Sequence, residues 1–484
     1  MLVKDFKYPL LMKYFEEISA IPRKSGHEEK IADYLVAFAE ARGLDVYRDT
    51  AHNVLINIPA AKGMESAEPV LLQGHTDMVC EKNIGTEHDF LRDGLDLYVD
   101  NGKIRARGTT LGADNGVAVA VMLALLDGAT DKHPALQCLF TSSEEVGMGG
   151  VEEFDFSKIY AKNMLNMDSA DDSEIIAGCA GGVRSDIKLA LKRETVSNKA
   201  IFEIKLGGLA GGHSGEDIGR GRANANKLLA IALQSLMANN ELGLDLVSFN
   251  GGTASNAIPR EAIATVCIES SREEVLRDSV DAISKTLSAT VGADDSNFFA
   301  EIKKLDGNAA NIINRDDAKK LVFIVLAVPY GPLAYNKDMV GVVEYSRNIG
   351  IVECNDNEAS VAFFARSAFG ERLDVSCLEL DAYADMVGGK HICDSRYPGW
   401  IYVPVSKLRE QYADIIEQVL GKKPHITVIH AGLECGIISD AIPDMDIISV
   451  GAIVRNLHSP DEYLDIASFE RFFTMICKFL AEWN

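Results

Sequence analysis

Short apolar runs at residues 54–58, 70–73, 136–141 and 164–167, each bounded by turn residues, limit what this chain can fold into more than any other feature. Runs of this length and character suit strands buried in the sheet of an α/β domain. Between and before them lie segments with helical apolar spacing at 10–20 and 28–41, the second followed by Gly43 as a C-cap. Residues 116–126 are apolar almost throughout, as in a helix buried on most sides. Alternation of these elements over roughly the first 180 residues predicts an α/β sheet flanked by helices.

Near Gly181-Gly182 the texture changes. Longer amphipathic strands are expected at 200–206, 262–270 and 359–367, separated by helices at 222–236 and 273–291. That order suggests a separate α+β layer. After Tyr397-Pro398-Gly399 the first texture returns, with a helix at 406–420, strands at 425–430 and 447–450, and a terminal helix at 466–483. A chain of 484 residues exceeds one ordinary core. We therefore expect residues 1–182 and 397–484 to form one α/β domain, into which 183–396 is inserted.

Composition excludes several classes. Lys and Arg number 48 against 72 Asp and Glu, a net charge of −24 that repels nucleic acid and anionic lipid. The bulk of that excess is read as a solubility feature. Residues 1–9, with Lys4, Asp5 and Lys7, lack the pattern of a secretory signal, and no apolar stretch is long enough to span a membrane. Nine cysteines without a CxxC pair fit reduced thiols in a cytoplasm.

Five clusters carry the chemistry. Gly74-His75-Thr76-Asp77 follows the run at 70–73. Residues two apart in extended chain point the same way, so His75 could ligate a metal while Asp77 accepts from its other ring nitrogen. Asp114 in Gly112-Ala113-Asp114-Asn115-Gly116 stands before the buried helix, where a plain N-cap is the alternative. Glu144 and Glu145 follow the run at 136–141; adjacent side chains cannot share one face, so one could bind metal while the other stays free, an exposed acidic turn being the alternative. Asp168 follows the run at 164–167, and His458 lies in a loop before the terminal helix. All lie at or beyond strand ends, where open α/β sheets place their sites, and the donor types suit zinc, or cobalt and manganese less selectively.

In order and spacing these motifs resemble the metal-site motifs of the M20 metallopeptidases, and most of all the aminoacyl-histidine dipeptidases within that family. The resemblance spans essentially the whole chain. It includes Gly212-His213-Ser214-Gly215, Ser255-Asn256-Ala257-Ile258-Pro259 and His430-Ala431-Gly432-Leu433-Glu434-Cys435-Gly436. It implies a zinc-peptidase catalytic domain, a mixed sheet flanked by helices, with an inserted α+β lid domain. It further implies two Zn2+ per chain, with Co2+ or Mn2+ as substitutes, and a homodimer. Asp114 would bridge the ions; His75 and Asp168 would complete one site, Glu145 and His458 the other. Asp77 would orient His75, Glu144 would act as general base, and His213 would stabilise the oxyanion. Asn256, Arg366 and the backbone of Gly432 would contact a dipeptide substrate, preferentially Xaa-His, over which the inserted domain would close.

Asp rather than Glu at 168 goes with the family's dipeptidases and aminopeptidases. Rival readings are another M20 hydrolase, such as an N-acyl amino acid deacylase or tripeptidase, and a non-catalytic scaffold retaining the fold. The glycines of 207–212 fit no GxGxxG spacing and precede no Gly-Lys-Ser/Thr, which argues against a nucleotide loop.

Overall fold

A computed structural model describes residues 2, 3 and 6–484. Met1, Lys4 and Asp5 of the N-terminal segment read above lie outside the described residues. The chain divides into two compact units. One comprises the chain up to Gly178, Trp400–Val428 and Leu433–Asn484; the other comprises Cys179–Gly399 and Ile429–Gly432.

The first unit is built on an eight-stranded mixed sheet. Its strand order is Asp45–Arg48, Val54–Ile58, Leu136–Thr141, Val70–His75, Asn163–Asn166, Asp446–Ser449, Glu174–Cys179, His425–Ile429. The four inner strands from Leu136–Thr141 to Asp446–Ser449 run parallel, and every residue of Leu136–Thr141, Val70–His75 and Asn163–Asn166 is buried. Burial on both faces is why these segments read as continuous apolar runs.

Helix Ala113–Leu126 is buried along nearly its whole length and lies close on the Val70–His75 strand. A Cβ added at Gly74 would stand 2.3 Å from the Cβ of Ala118, so glycine lets this helix approach the strand. The terminal helix Ile466–Glu482 starts on the Asp465 side chain, which accepts from Ser468 N at 2.8 Å. It buries Phe469, Phe472, Phe473, Ile476 and Phe479 in the same core. Each such side chain contributes about 1.5–3 kcal/mol.

The second unit carries a nine-stranded sheet whose registered pairs are all antiparallel. Its long strands include Gly181–Ala190, Val343–Cys354 and Glu358–Ser367. Helices Ala225–Ala238 and Arg315–Ala327 pack on it around Phe202, Phe249, Leu233, Leu321 and Phe363. The expected mixed sheet with an inserted α+β layer is therefore the observed architecture. Segment Ile429–Gly432 groups with this second unit because Ala180 N donates to the carbonyls of Ile429 and Ala431, both at 3.1 Å. Among the described residues no helix is long and apolar enough to cross a membrane, and no disulfide links any of the nine cysteines.

Candidate metal centre

Three neighbouring parallel strands of the first sheet end along one edge, and their C-terminal extensions carry the polar clusters. His75 closes its strand opposite Thr141. Asp77 lies two residues beyond it, Glu144 and Glu145 lie just past Leu136–Thr141, and Asp168 lies two residues past Asn163–Asn166. Asp114 enters from the start of the buried helix, at a cis peptide bond to Asn115. His458 arrives from the loop between strands Val454–Arg455 and Tyr463–Asp465.

Asp114 stands at the middle. Its Oδ1 lies 3.1 Å from His75 Nε2, and its Oδ2 lies 3.4 Å from His458 Nε2. His75 Nε2 is also 3.6 Å from Asp168 Oδ1, and His458 Nε2 is 3.2 Å from Glu145 Oε2. Donor atoms of His75, Asp114 and Asp168 fall within 4.8 Å of one another, as do those of Asp114, Glu145 and His458. A third grouping, of His75, Glu144 and Glu145, overlaps both.

These residues fit divalent cations. The donors are carboxylate oxygens and imidazole nitrogens, the borderline set that zinc, cobalt and manganese share. Glu145 Oε1 is buried without a hydrogen-bond partner, an orphan that a cation would satisfy. Burial, and then the nearby charges of Asp114 and Glu145, push Asp168 up to about 6 despite the opposing pull of His75. Such carboxylate crowding is what a bound cation relieves.

Asp77 is wholly buried and does more than face His75. Its Oδ1 lies 3.4 Å from His75 Nδ1 and accepts from Glu144 N at 3.1 Å; its Oδ2 accepts from Glu145 N at 3.2 Å and Ser25 Oγ at 2.7 Å. Burial alone would raise this carboxyl, but the bonds from His75 and Ser25 hold it below the usual range. Burial pushes the neighbouring Glu144 carboxyl well above that range.

Three residues to which the sequence assigned no role support the centre. Arg23 is buried and donates to the carbonyls of Thr76 at 3.0 Å and Asp77 at 3.2 Å, and also to Gly112. Glu462 accepts from four successive backbone N–H groups, Leu111 to Asp114, at 2.7, 2.9, 2.9 and 3.4 Å. Together they clasp the His75 and Asp114 loops. Glu434 lies beneath the centre, its Oε2 accepting from Gln73 Nε2 at 2.5 Å and Thr141 Oγ1 at 2.7 Å; burial raises it to about 7. Glu434 sat inside a quoted motif, whereas nothing in the spacing of Arg23 or Glu462 marks them.

The remaining expected residues lie in the second unit. Short strands Gly212–His213 and Ala257–Ile258 pair, with His213 opposite Ala257, and Ser214 N donates to Asn256 O at 2.8 Å. The Asn256 side chain is exposed. Arg366 is 3% exposed; it donates to Tyr397 Oη at 2.9 Å and lies 3.2 Å from His213 Nε2. A guanidinium only donates, so Nε2 of His213 accepts and its proton sits on Nδ1. Burial, then the Arg366 charge, lower the His213 pKa. His430 joins this unit through Ser346 Oγ at 2.7 Å, two residues before Gly432.

Comparison with known proteins places these features in context. The model of the peptidase family M20/M25/M40 matches residues 71–482. The cytosol non-specific dipeptidase of Escherichia coli (strain K12) is 37% identical over 473 residues, covering 98% of this chain and 97% of that protein. The aminoacylhistidine dipeptidase from Vibrio alginolyticus superposes with a TM-score of 0.90 at 34% identity, over 99% of this chain and 98% of that one. The aminopeptidase PepT from Bacillus cereus ATCC 10987, at 14% identity and a TM-score of 0.57 over 99% of both chains, shares the fold.

Proposed function

This chain belongs to the M20/M25/M40 peptidase family, and from that premise we propose that it is a metal-dependent dipeptidase acting on Xaa-His and other dipeptides in the cytosol. The observation that carries the reading is Asp114, whose two carboxylate oxygens each face a different histidine. That is the disposition of a carboxylate shared between two ions.

Two Zn2+ would be held by His75, Asp114 and Asp168 on one side and by Asp114, Glu145 and His458 on the other. Ions held there would supply Lewis acidity and would lower the pKa of a bound water to roughly 7. The Asp77 backbone carbonyl accepts from Nδ1 of His75 at 3.1 Å, with the carboxylate 3.4 Å from the same nitrogen, and so fixes Nε2 as the ligand atom. Its bonds to the Glu144 and Glu145 amides hold both glutamates in place. The Glu144 carboxylate takes a proton from the attacking water and returns it to the leaving amine. His213, neutral and carrying its proton on Nδ1, donates to the developing oxyanion. The Arg366 guanidinium binds the substrate's carboxylate, and Asn256 and the Gly432 backbone are further substrate contacts. We assign the working form as a homodimer.

The test is a panel of β-alanyl-histidine, other dipeptides, a tripeptide and N-acetyl amino acids on protein loaded with Zn2+, Co2+ or Mn2+. Dipeptides should lead, and Glu144→Gln should lower kcat by about 10²–10⁴ while two equivalents of metal stay bound. Preferential hydrolysis of N-acetyl amino acids would make it a deacylase, and no hydrolysis with metal bound would leave a scaffold.

A further inference from the structure

A separate corner of the second unit sets a thiol, an imidazole and a carboxylate in series. Helix Gly370–Val387 presents Cys377 and Asp381 one turn apart. The edge strand Lys390–Tyr397 presents His391 and Cys393 two residues apart, hence on one side of the strand. Asp381 Oδ1 lies 2.7 Å from His391 Nδ1, and His391 Nε2 lies 3.5 Å from Cys393 Sγ. The carboxylate fixes the ring proton on Nδ1 and leaves Nε2 as the base facing the thiol. Ser185 Oγ, directly across the strand pair, lies 3.3 Å from the same sulfur.

Among the nine cysteines Cys393 alone is exposed. Cys377 lies one turn before Asp381 on the helix packed against this strand, and burial, then its interaction with Cys393, push its thiol up to about 12. Burial likewise pushes Cys80 and Cys267 up to about 11 and Cys477 up to about 12. A thiol with a paired base and open access differs in kind from these less accessible ones.

We propose that Cys393 is a peroxide-reactive thiol activated by the His391–Asp381 pair, and that Cys377 resolves its oxidised form into a disulfide joining helix to edge strand. His391 takes the Cys393 proton, and the thiolate attacks one oxygen of hydrogen peroxide. The O–O bond breaks, an S–O bond forms, and the departing hydroxide recovers the proton from His391 as water. Cys393 is thereby oxidised by two electrons to a sulfenic acid. The Cys377 sulfur then attacks the Cys393 sulfur, forming the S–S bond, while the S–O bond breaks and hydroxide leaves with the Cys377 proton. In sum, two thiols and one peroxide give one disulfide and two waters.

The full-length protein is exposed to limiting hydrogen peroxide, alkylated, digested and mapped by mass spectrometry. Cys393 should be oxidised first, and peptides carrying residues 377 and 393 should emerge linked. With Cys377→Ser the link cannot form, and dimedone should capture Cys393 as the sulfenic acid. Iodoacetamide should alkylate wild-type Cys393 faster than free glutathione at neutral pH, and His391→Gln should slow that reaction about tenfold. Prior oxidation of another cysteine, absence of the 377–393 link, or a wild-type rate no faster than glutathione would each overturn the proposal. Because the glutathione comparison needs no variant, it stands even where His391→Gln fails to fold.

Discussion

Glu462 illustrates how one side chain governs a centre it does not enter. Its carboxylate gathers four consecutive amides of the loop that delivers Asp114. Glu462→Gln replaces one acceptor oxygen with a donor facing those amides. We expect metal affinity to fall about 10–100-fold, read by competition with a chromogenic chelator on protein whose circular dichroism is unchanged. His430 offers a pH signature away from the metal ligands. Burial, then the Arg366 charge, lower it to about 3. A depressed folded-state value means stability is whole above the unfolded value of about 6.5 and lost as pH falls toward 3. The stability of wild type relative to His430→Gln should therefore shrink over that window in urea titrations; a constant difference would contradict it. The candidate ligands were legible because their residue types recur at strand ends. Arg23 and Glu462 were not, since they act on backbone groups remote in sequence, Glu462 across 348 to 351 positions, and any buried Arg or Glu looks alike in a string.

At the scale of elements, patterning succeeded where burial was uniform. The runs at 54–58 and 136–141 coincide with strands Val54–Ile58 and Leu136–Thr141, and the apolar stretch at 116–126 lies within helix Ala113–Leu126. Strands Gly181–Ala190 and Val343–Cys354 went unread because they bury polar side chains. Ser346, Arg347 and Asn348 stand consecutively in the second, and the Nη2 of Arg347 donates to Tyr345 Oη, Ser376 Oγ and Glu379 rather than to solvent. Apolar periodicity cannot register a strand whose interior is held by hydrogen bonds. Capping is a more local matter. Asp465 starts the terminal helix by accepting from Ser468 N, so Asp465→Ala should cost about 1 kcal/mol, seen as a lowered midpoint in thermal unfolding. An unchanged midpoint would mean the aromatic face of that helix alone fixes its start.

For the molecule as a whole, the carboxylate-rich centre links stability to metal. A ligand bound by the folded state at one hundred times its Kd stabilises by about 2.7 kcal/mol per site. Chelator treatment should lower the melting temperature and re-addition of Zn2+ should restore it, whereas His75→Ala protein should respond far less to either. The strand order of the first unit carries a further consequence. Asp446–Ser449 lies inside that sheet, between Asn163–Asn166 and Glu174–Cys179, although it follows all of Cys179–Gly399 in the chain. While the ribosome is still extending the chain, the inserted unit's long antiparallel strands have all emerged, yet the sheet bearing most of the ligands gapes at its middle. Biosynthesis must therefore hold that cleft open, its apolar strand edges waiting for partners, until residues 446–449 have emerged.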